Sequence, residues 1–332
     1  MQNEIKKLEK IKQENFIVFK VVAQYLNNFP CLVTSEIMEE IKGDSYISEE
    51  KYFALFLSLA LSENDESGDF LNREYFSRSV KKLNPSDYTD NPYYKNIKIP
   101  AKNEGNWDLG SQIYKPYEGF VYDDIEVLND YREIPKIGFF GEEFSFPTVF
   151  ENGVEWMSIK PNEIETMKPH IEKMSGDVAV FGLGLGYFAY MISLKDSVKS
   201  ITIVERDKNV ISLFEKYILP QFENKQKIKI VKADAFDFLK NDIKNYRFDN
   251  AFVDLWHDVS DGLGLYLKVK KFEKNSGTKF HYWIEKSILS HMRWQIFEGL
   301  LTQIQNGKVS MTADEIKKHI SDSSLKKLAE II

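Results

Sequence analysis

Apolar positions along the chain change period three times. From about residue 5 to residue 80 the spacing is helical: Ile17, Phe19, Val21, Val22, Tyr25 and Leu26 recur amphipathically,. Residues 52–61 (YFALFLSLAL) are apolar enough to predict a buried helix, and residues 62–69 form a polar break. From about 84 to 153 short alternating runs such as 138–150 lie among Tyr, Phe, Gly and Pro, which predicts hairpins,. Beyond residue 160 apolar strands at 178–181, 200–204, 227–232, 248–253 and 280–285 alternate with helical stretches. Residues 288–301 and 313–331 then read as helices, with Thr312 and Glu315 spaced as a capping box,. The segments expected are 1–83 helical, 84–160 β-rich, 161–290 ligand-binding and 291–332 C-terminal helices. The fold class is α/β, a doubly wound, mostly parallel sheet with an N-terminal helical and β-rich accessory region.

The strand at 178–181 runs straight into Gly182, Gly184 and Gly186, and residues 187–194 continue as a helix. Such a loop lets the backbone turn sharply and approach a ligand that any Cβ would push away. Glu205 ends the next strand, where a carboxylate can accept both hydroxyls of a ribose,. This is the layout of a Rossmann-like nucleotide-binding βαβ unit. A pyrophosphate-binding loop needs G-x-G-x-x-G; here the third glycine comes one position early and Tyr187 takes the expected place,.

The G-x-G-x-G spacing resembles class I S-adenosylmethionine-dependent methyltransferases. The resemblance covers about residues 163–285, and it implies S-adenosylmethionine as cofactor, held by Gly182, Leu183, Gly184, Gly186, Tyr187, Glu205, Arg206, Asp234, Ala235 and Asp254. It implies that Asp234 contacts the adenine amino group and that Asp254 faces the methionine end and the substrate. ADAFDFL followed by FDNAFVD, with residues 146–170 upstream, is also similar to the spermidine synthase group, which uses decarboxylated S-adenosylmethionine. By that likeness the segment 156–166, with a helix starting at Pro161 or Asn162 and acids at Glu163 and Glu165, lines the cofactor pocket. Two positions depart. Val180 stands where methyltransferases often carry an acid, and the D-S/T-S/T-D-P loop of the synthases is replaced by Asp254-Leu255-Trp256-His257-Asp258.

Transfer from a sulfonium needs an aligned acceptor and a place for its proton. Asp254, His257 and Asp258 are the catalytic candidates, His257 acting as base with Asp258 or Asp254 orienting it. With Asp261 the same residues offer oxygen and imidazole ligands for a divalent cation, against the plainer reading of a polar loop that caps a helix; no metal is assigned. Tyr93, Tyr94, Tyr114, Tyr117 and Phe120 are expected to pack in cores rather than stack on a substrate.

The chain has 332 residues, 43% hydrophobic, and a net charge of −7. That disfavours nucleic acid, and basic pairs such as Lys317-Lys318 read as solvated helix faces. No apolar run nears the roughly 20 residues of a membrane span, the N-terminus lacks a signal-peptide core, and a single cysteine, Cys31, suits a reducing compartment,. The expected setting is cytoplasmic, with no membrane, a small-molecule substrate and room for a homo-oligomer. The leading expectation is an S-adenosylmethionine-dependent methyltransferase of a small acceptor. The alternatives are a spermidine synthase-like aminopropyltransferase and a non-catalytic cofactor-binding module.

Overall fold

A computed structural model describes residues 2–42, 47–62, 65–273 and 276–332. Two compact units emerge, Met1–Tyr88 with Ile113–Ser145, and Thr89–Gln112 with Phe146–Ile332. They cut through the 84–160 segment, which contributes to both.

In the first unit, helices Gln2–Asn28, Ser35–Lys42 and Glu49–Ala60 place Val18, Val22, Tyr25, Phe53 and Leu57 in one core, while Ile17 of the expected stripe and Leu55 and Leu59 of the helix expected to be buried are exposed. A three-stranded sheet completes it: Val80–Leu83 runs parallel to Ile137–Phe140, which pairs antiparallel with Phe120–Val121. Phe53 stacks on Phe139 with ring centroids 4.4 Å apart. Asn15 is buried and its amide makes three hydrogen bonds: Oδ1 accepts from the Tyr75 hydroxyl and the Glu133 N–H, and Nδ2 donates to the Tyr131 carbonyl. The expected polar break at 62–69 is helical from Asp65 to Leu71, residues 63 and 64 lying outside the described residues. Phe70 and Leu71 pack on the core there, and burial overrides local polarity,.

The second unit is built on a five-stranded parallel sheet of β1 (Gly176–Phe181), β2 (Val198–Glu205), β3 (Ile228–Lys232), β4 (Asn250–Val253) and β5 (Lys279–Tyr282). Their spatial order is β3-β2-β1-β4-β5, every pair parallel. Residues Val178 to Phe181 are all buried, so β1 reads as a continuous apolar run instead of an alternating one,. The helices are α1 (Pro161–Lys173), α2 (Tyr187–Ser193), α3 (Lys208–Leu213), α4 (Val259–Glu273), α5 (Glu285–Gln305), α6 (Ala313–His319) and α7 (Asp322–Ala329). Phe188 of α2 stacks on Phe252 of β4 at 3.8 Å. The expected hairpins appear as the antiparallel pairs Lys102–Glu104 with Trp107–Tyr114 and Phe144–Glu151 with Val154–Ser158.

Two C-terminal boundaries differ from expectation. The strand expected over 280–285 stops at Tyr282, because Ile284 takes a left-handed conformation (φ 45°, ψ 35°) and opens α5. Residues 313–331 form two helices rather than one, since Ser321 caps α7 by accepting the Ser324 N–H. The Thr312–Glu315 capping box is present. Tyr93 is fully buried, its hydroxyl donating to the Leu185 carbonyl at 2.6 Å, which is a packing role. No helix among the described residues is long and apolar enough to cross a membrane.

Two histidines lie together at the base of the sheet. His281 on β5 is 3.2 Å through Nε2 from Asn250 Oδ1, and the His170 ring is 5.8 Å from that of His281. Burial first, then neighbouring positive charge including lysines, lowers both to about 4. Both are neutral in the folded protein near pH 6, while the unfolded chain still takes up protons there. Their contribution is therefore complete above the unfolded value near 6.5 and is lost as the pH falls toward 4. After a discount for partial exposure, the pair should cost about 2 kcal/mol over that range. Replacing His170 with phenylalanine should flatten the fall in melting temperature between pH 6.5 and 4; an unchanged slope would refute the assignment.

Candidate active site

The strand order reverses between β1 and β4, so a crevice opens at their carboxyl ends,. A cavity of about 360 Å³ lies there, lined by the glycine loop, the ends of β2, β3 and β4, and α1. Gly182 has φ +99°, and a Cβ at that position would collide with the Asp254 carbonyl oxygen. Gly184 (φ +51°) lies beneath Met157, whose sulfur would be 2.9 Å from a Cβ there. The absent side chains let the loop pass close under the cavity.

Glu205 ends β2, where its carboxylate accepts the N–H of Leu183 (3.2 Å) and of Asp207 (2.8 Å). The acid is thus tied to the glycine loop with lone pairs left for a ligand. Asp234 ends β3 and accepts the N–H groups of Phe236 and Asp237, which holds its carboxylate at the rim. Leu183, Tyr187, Arg206 and Ala235 also line the cavity. Gly186 does not; it is the N-cap of α2, with φ +73°.

Asp254 follows β4, its N–H donating to the Phe181 carbonyl at 3.0 Å. Asp254 is half-buried on the cavity wall, and the burial of its carboxyl raises it to about 7. Glu163, on the first turn of α1, is buried beside it; burial, then the charge of Asp254, raises it to about 8. Two enclosed carboxyls that resist ionising together form one site able to hold a single proton or a cation. Glu163 and Val180 both line the cavity, so an acid is present there although position 180 of β1 carries none. In the sequence Glu163 falls within the segment 156–166, expected by its likeness to the synthases to line the pocket, but without a catalytic role.

His257 lines the cavity, but its neighbour is Asp261, with Nδ1 to Oδ2 at 3.6 Å. The Asp261 carboxylate also accepts the His257 and Asp258 N–H groups. Asp258 is not part of the cavity wall; its carboxylate accepts the Ser260 N–H at the start of α4, which also lowers its pKa. The orienting carboxylate for His257 is therefore Asp261, not Asp258 or Asp254. Among the described residues, no three His, Cys, Asp or Glu side chains converge as a metal-ligand set.

Three tryptophans were not singled out as site residues: Trp156, Trp256 and Trp283. Trp156 meets the His257 ring edge-on at 4.1 Å. The buried Trp256 indole N–H finds no protein acceptor, so a ligand atom or water must supply one,. The ionisable lining is one-sided: Glu163, Glu205, Asp234, Asp254 and Asp261 against Arg206, with His257 beside them.

A family model described as the spermine/spermidine synthase domain matches residues 163–272. The span includes the glycine loop, Glu205, Asp234, Asp254 and Glu163. Among solved structures the chain is similar to a spermidine synthase in complex with the transition-state analogue AdoDATO (18% identity, TM-score 0.33, 41% of this chain and 50% of that one). It is also similar to spermidine synthase from Thermotoga maritima (17% identity, TM-score 0.30, 41% and 48%). The chain thus spans about half the length of these structures. No curated protein matches the chain.

The family match corrects the cofactor expectation. Spermidine synthases use decarboxylated S-adenosylmethionine as an aminopropyl donor, not S-adenosylmethionine as a methyl donor. The family-model match likewise favours the aminopropyltransferase alternative over methyl transfer.

Proposed function

We propose that this protein is an aminopropyltransferase that moves the 3-aminopropyl group of decarboxylated S-adenosylmethionine to an amine. The observation that carries the reading is the pair of buried Glu163 and half-buried Asp254 at one end of an acidic cavity. The donor is a sulfonium with a primary amine and no carboxylate, and the acceptor is an ammonium in water. Both are cations, and a wall of Glu205, Asp234, Asp261 and the partly protonated Glu163–Asp254 pair against one guanidinium favours both,. The aromatic faces of Trp156, Trp256 and Trp283 add the lining that cations prefer,. The sheet is taken as the doubly wound, Rossmann-like kind, a reading supported by its order and by the crevice at the reversal,.

Glu205 accepts the two ribose hydroxyls and Asp234 the adenine amino group, while the glycine loop lets the nucleoside lie close to the sheet. The acceptor nitrogen attacks the propyl carbon bound to sulfur, a C–N bond forms, the C–S bond breaks, and 5′-methylthioadenosine leaves as a neutral thioether. Asp254 takes the proton that the nitrogen gives up, and Glu163 shares the charge. A raised carboxyl suits this work, since it is a stronger base than an ordinary aspartate.

Incubation with decarboxylated S-adenosylmethionine and a diamine such as putrescine should release 5′-methylthioadenosine and one aminopropylated product per turnover. The absence of both, across a panel of di- and polyamines, would sink the proposal. Glu205→Ala should weaken 5′-methylthioadenosine binding by about 50-fold in titration calorimetry, since hydrogen bonds to a charged group are worth about 1.5–3 kcal/mol. A change below threefold would remove Glu205 from the ribose.

A further inference from the structure

Ile284 is β-branched, yet its backbone is left-handed, with φ 45° and ψ 35°. Such a residue crowds its own Cβ against the following carbonyl, so it persists only where its surroundings dictate the conformation. The constraint is visible at Trp283, one residue before. Its N–H donates to the Val253 carbonyl at 3.0 Å, and its buried indole Nε1 donates to Thr166 Oγ1 at 2.8 Å. The Thr166 hydroxyl in turn donates to the Asn162 carbonyl at 2.6 Å. Trp283 lines the cavity, and Thr166 lies one helical turn beyond Glu163 on α1. The chain therefore holds an unfavourable backbone turn next to Trp283, the residue that follows β5 and is tied through Thr166 to the first turn of α1.

We propose that Trp283, tied to Thr166 and seated by the strained turn at Ile284, is a positioning residue that fixes the first turn of α1 and holds Glu163 in the cavity against Asp254. The inference deepens the proposed function, since it rests on Glu163 belonging to the reactive end of the site. Ile284 supplies no group to the reaction; it sets where Trp283 lies. The groups facing Glu163 are Asp254 from the end of β4, Lys160 just before α1, Glu155, which is paired with Lys160 at 2.6 Å, and Tyr187 of α2.

The test needs no ligand. Melting temperature is followed from pH 7 to 9 for the native chain, Trp283→Phe, Ile284→Gly and the double variant. In the native chain Glu163 and Asp254 keep protons that the unfolded chain has already lost, so stability declines as the pH rises through their folded values of about 8 and about 7,. Trp283→Phe should at least halve that decline, because a loosened first turn lets Glu163 reach water and ionise. Ile284→Gly should preserve it, since glycine takes the left-handed turn without strain. The double variant should match Trp283→Phe, because glycine keeps the turn but cannot restore the hydrogen bond to Thr166. The same pH dependence in native and Trp283→Phe proteins overturns the proposal, and so does a double variant that regains the native decline. Should Trp283→Phe fail to fold, Thr166→Val, which removes the acceptor and keeps the shape, is read by the same two criteria. A native chain that shows this pattern but binds no decarboxylated S-adenosylmethionine would refute the donor assignment and leave the positioning role intact.

Discussion

Gly182→Ala is expected to destabilise the protein by about 4 kcal/mol and to abolish nucleoside binding. Residue 182 has φ +99°, a region that L side chains avoid, and the new Cβ would meet the Asp254 carbonyl oxygen. The obstacle is backbone, not the end of a flexible side chain, so relief requires moving a strand. Two hydrogen bonds pin the strands involved: Gly182 N–H to the Val204 carbonyl at 3.1 Å and Asp254 N–H to the Phe181 carbonyl at 3.0 Å. Moving either β1 or β4 would displace Asp254 together with the loop. Gly264→Ala, in α4 with nothing within 4 Å of the new Cβ, is the control and should raise stability by about 0.5 kcal/mol,. Thermal melting of the two variants separates a steric cost at the crevice from a general intolerance of alanine. A Gly182→Ala protein that melts like the native chain would contradict the packing described.

The second large effect is on turnover. Asp254→Asn should reduce aminopropyl transfer by about 10³-fold, within the range that general-base removal produces, while 5′-methylthioadenosine binding changes less than threefold. Stability should not fall, because the substitution removes one member of a buried carboxyl pair that resists ionising,. The native enzyme's rate should climb as the pH rises through about 7, where the pair gives up its first proton, and that limb should be lost in the variant,. Equal turnover in the two proteins would move the proton acceptor elsewhere, with His257 the next candidate on the cavity wall.

What could be read in advance was what local chemistry encodes. The apolar run before Gly182 had to be a strand because its residues are buried on both faces, and the glycines had to be a turn because only glycine fits there. Strand ends at Glu205, Asp234 and Asp254 followed from periodicity alone. What escaped depends on distant partners. Glu163 falls only in a segment expected to line the pocket, and the folded chain is what brings it beside Asp254. The loop after β4 offered three acids near His257, and choosing Asp261 over Asp258 needed the geometry of the α4 start. Residues 280–285 read as uninterrupted strand because nothing in the residue type announces a left-handed isoleucine. The donor expectation went wrong for a related reason: the G-x-G-x-G spacing at residues 182–186 carries no information on the tail in which the two donors differ.

Competition between the two donors for the native protein tests that tail directly. By titration calorimetry at pH 7.5, decarboxylated S-adenosylmethionine should bind at least tenfold tighter than its carboxylated parent, because Glu205, Asp234, Asp261 and the partly protonated Glu163–Asp254 pair line the cavity against the single guanidinium of Arg206,. Equal affinity, or preference for the carboxylated donor, would contradict the account.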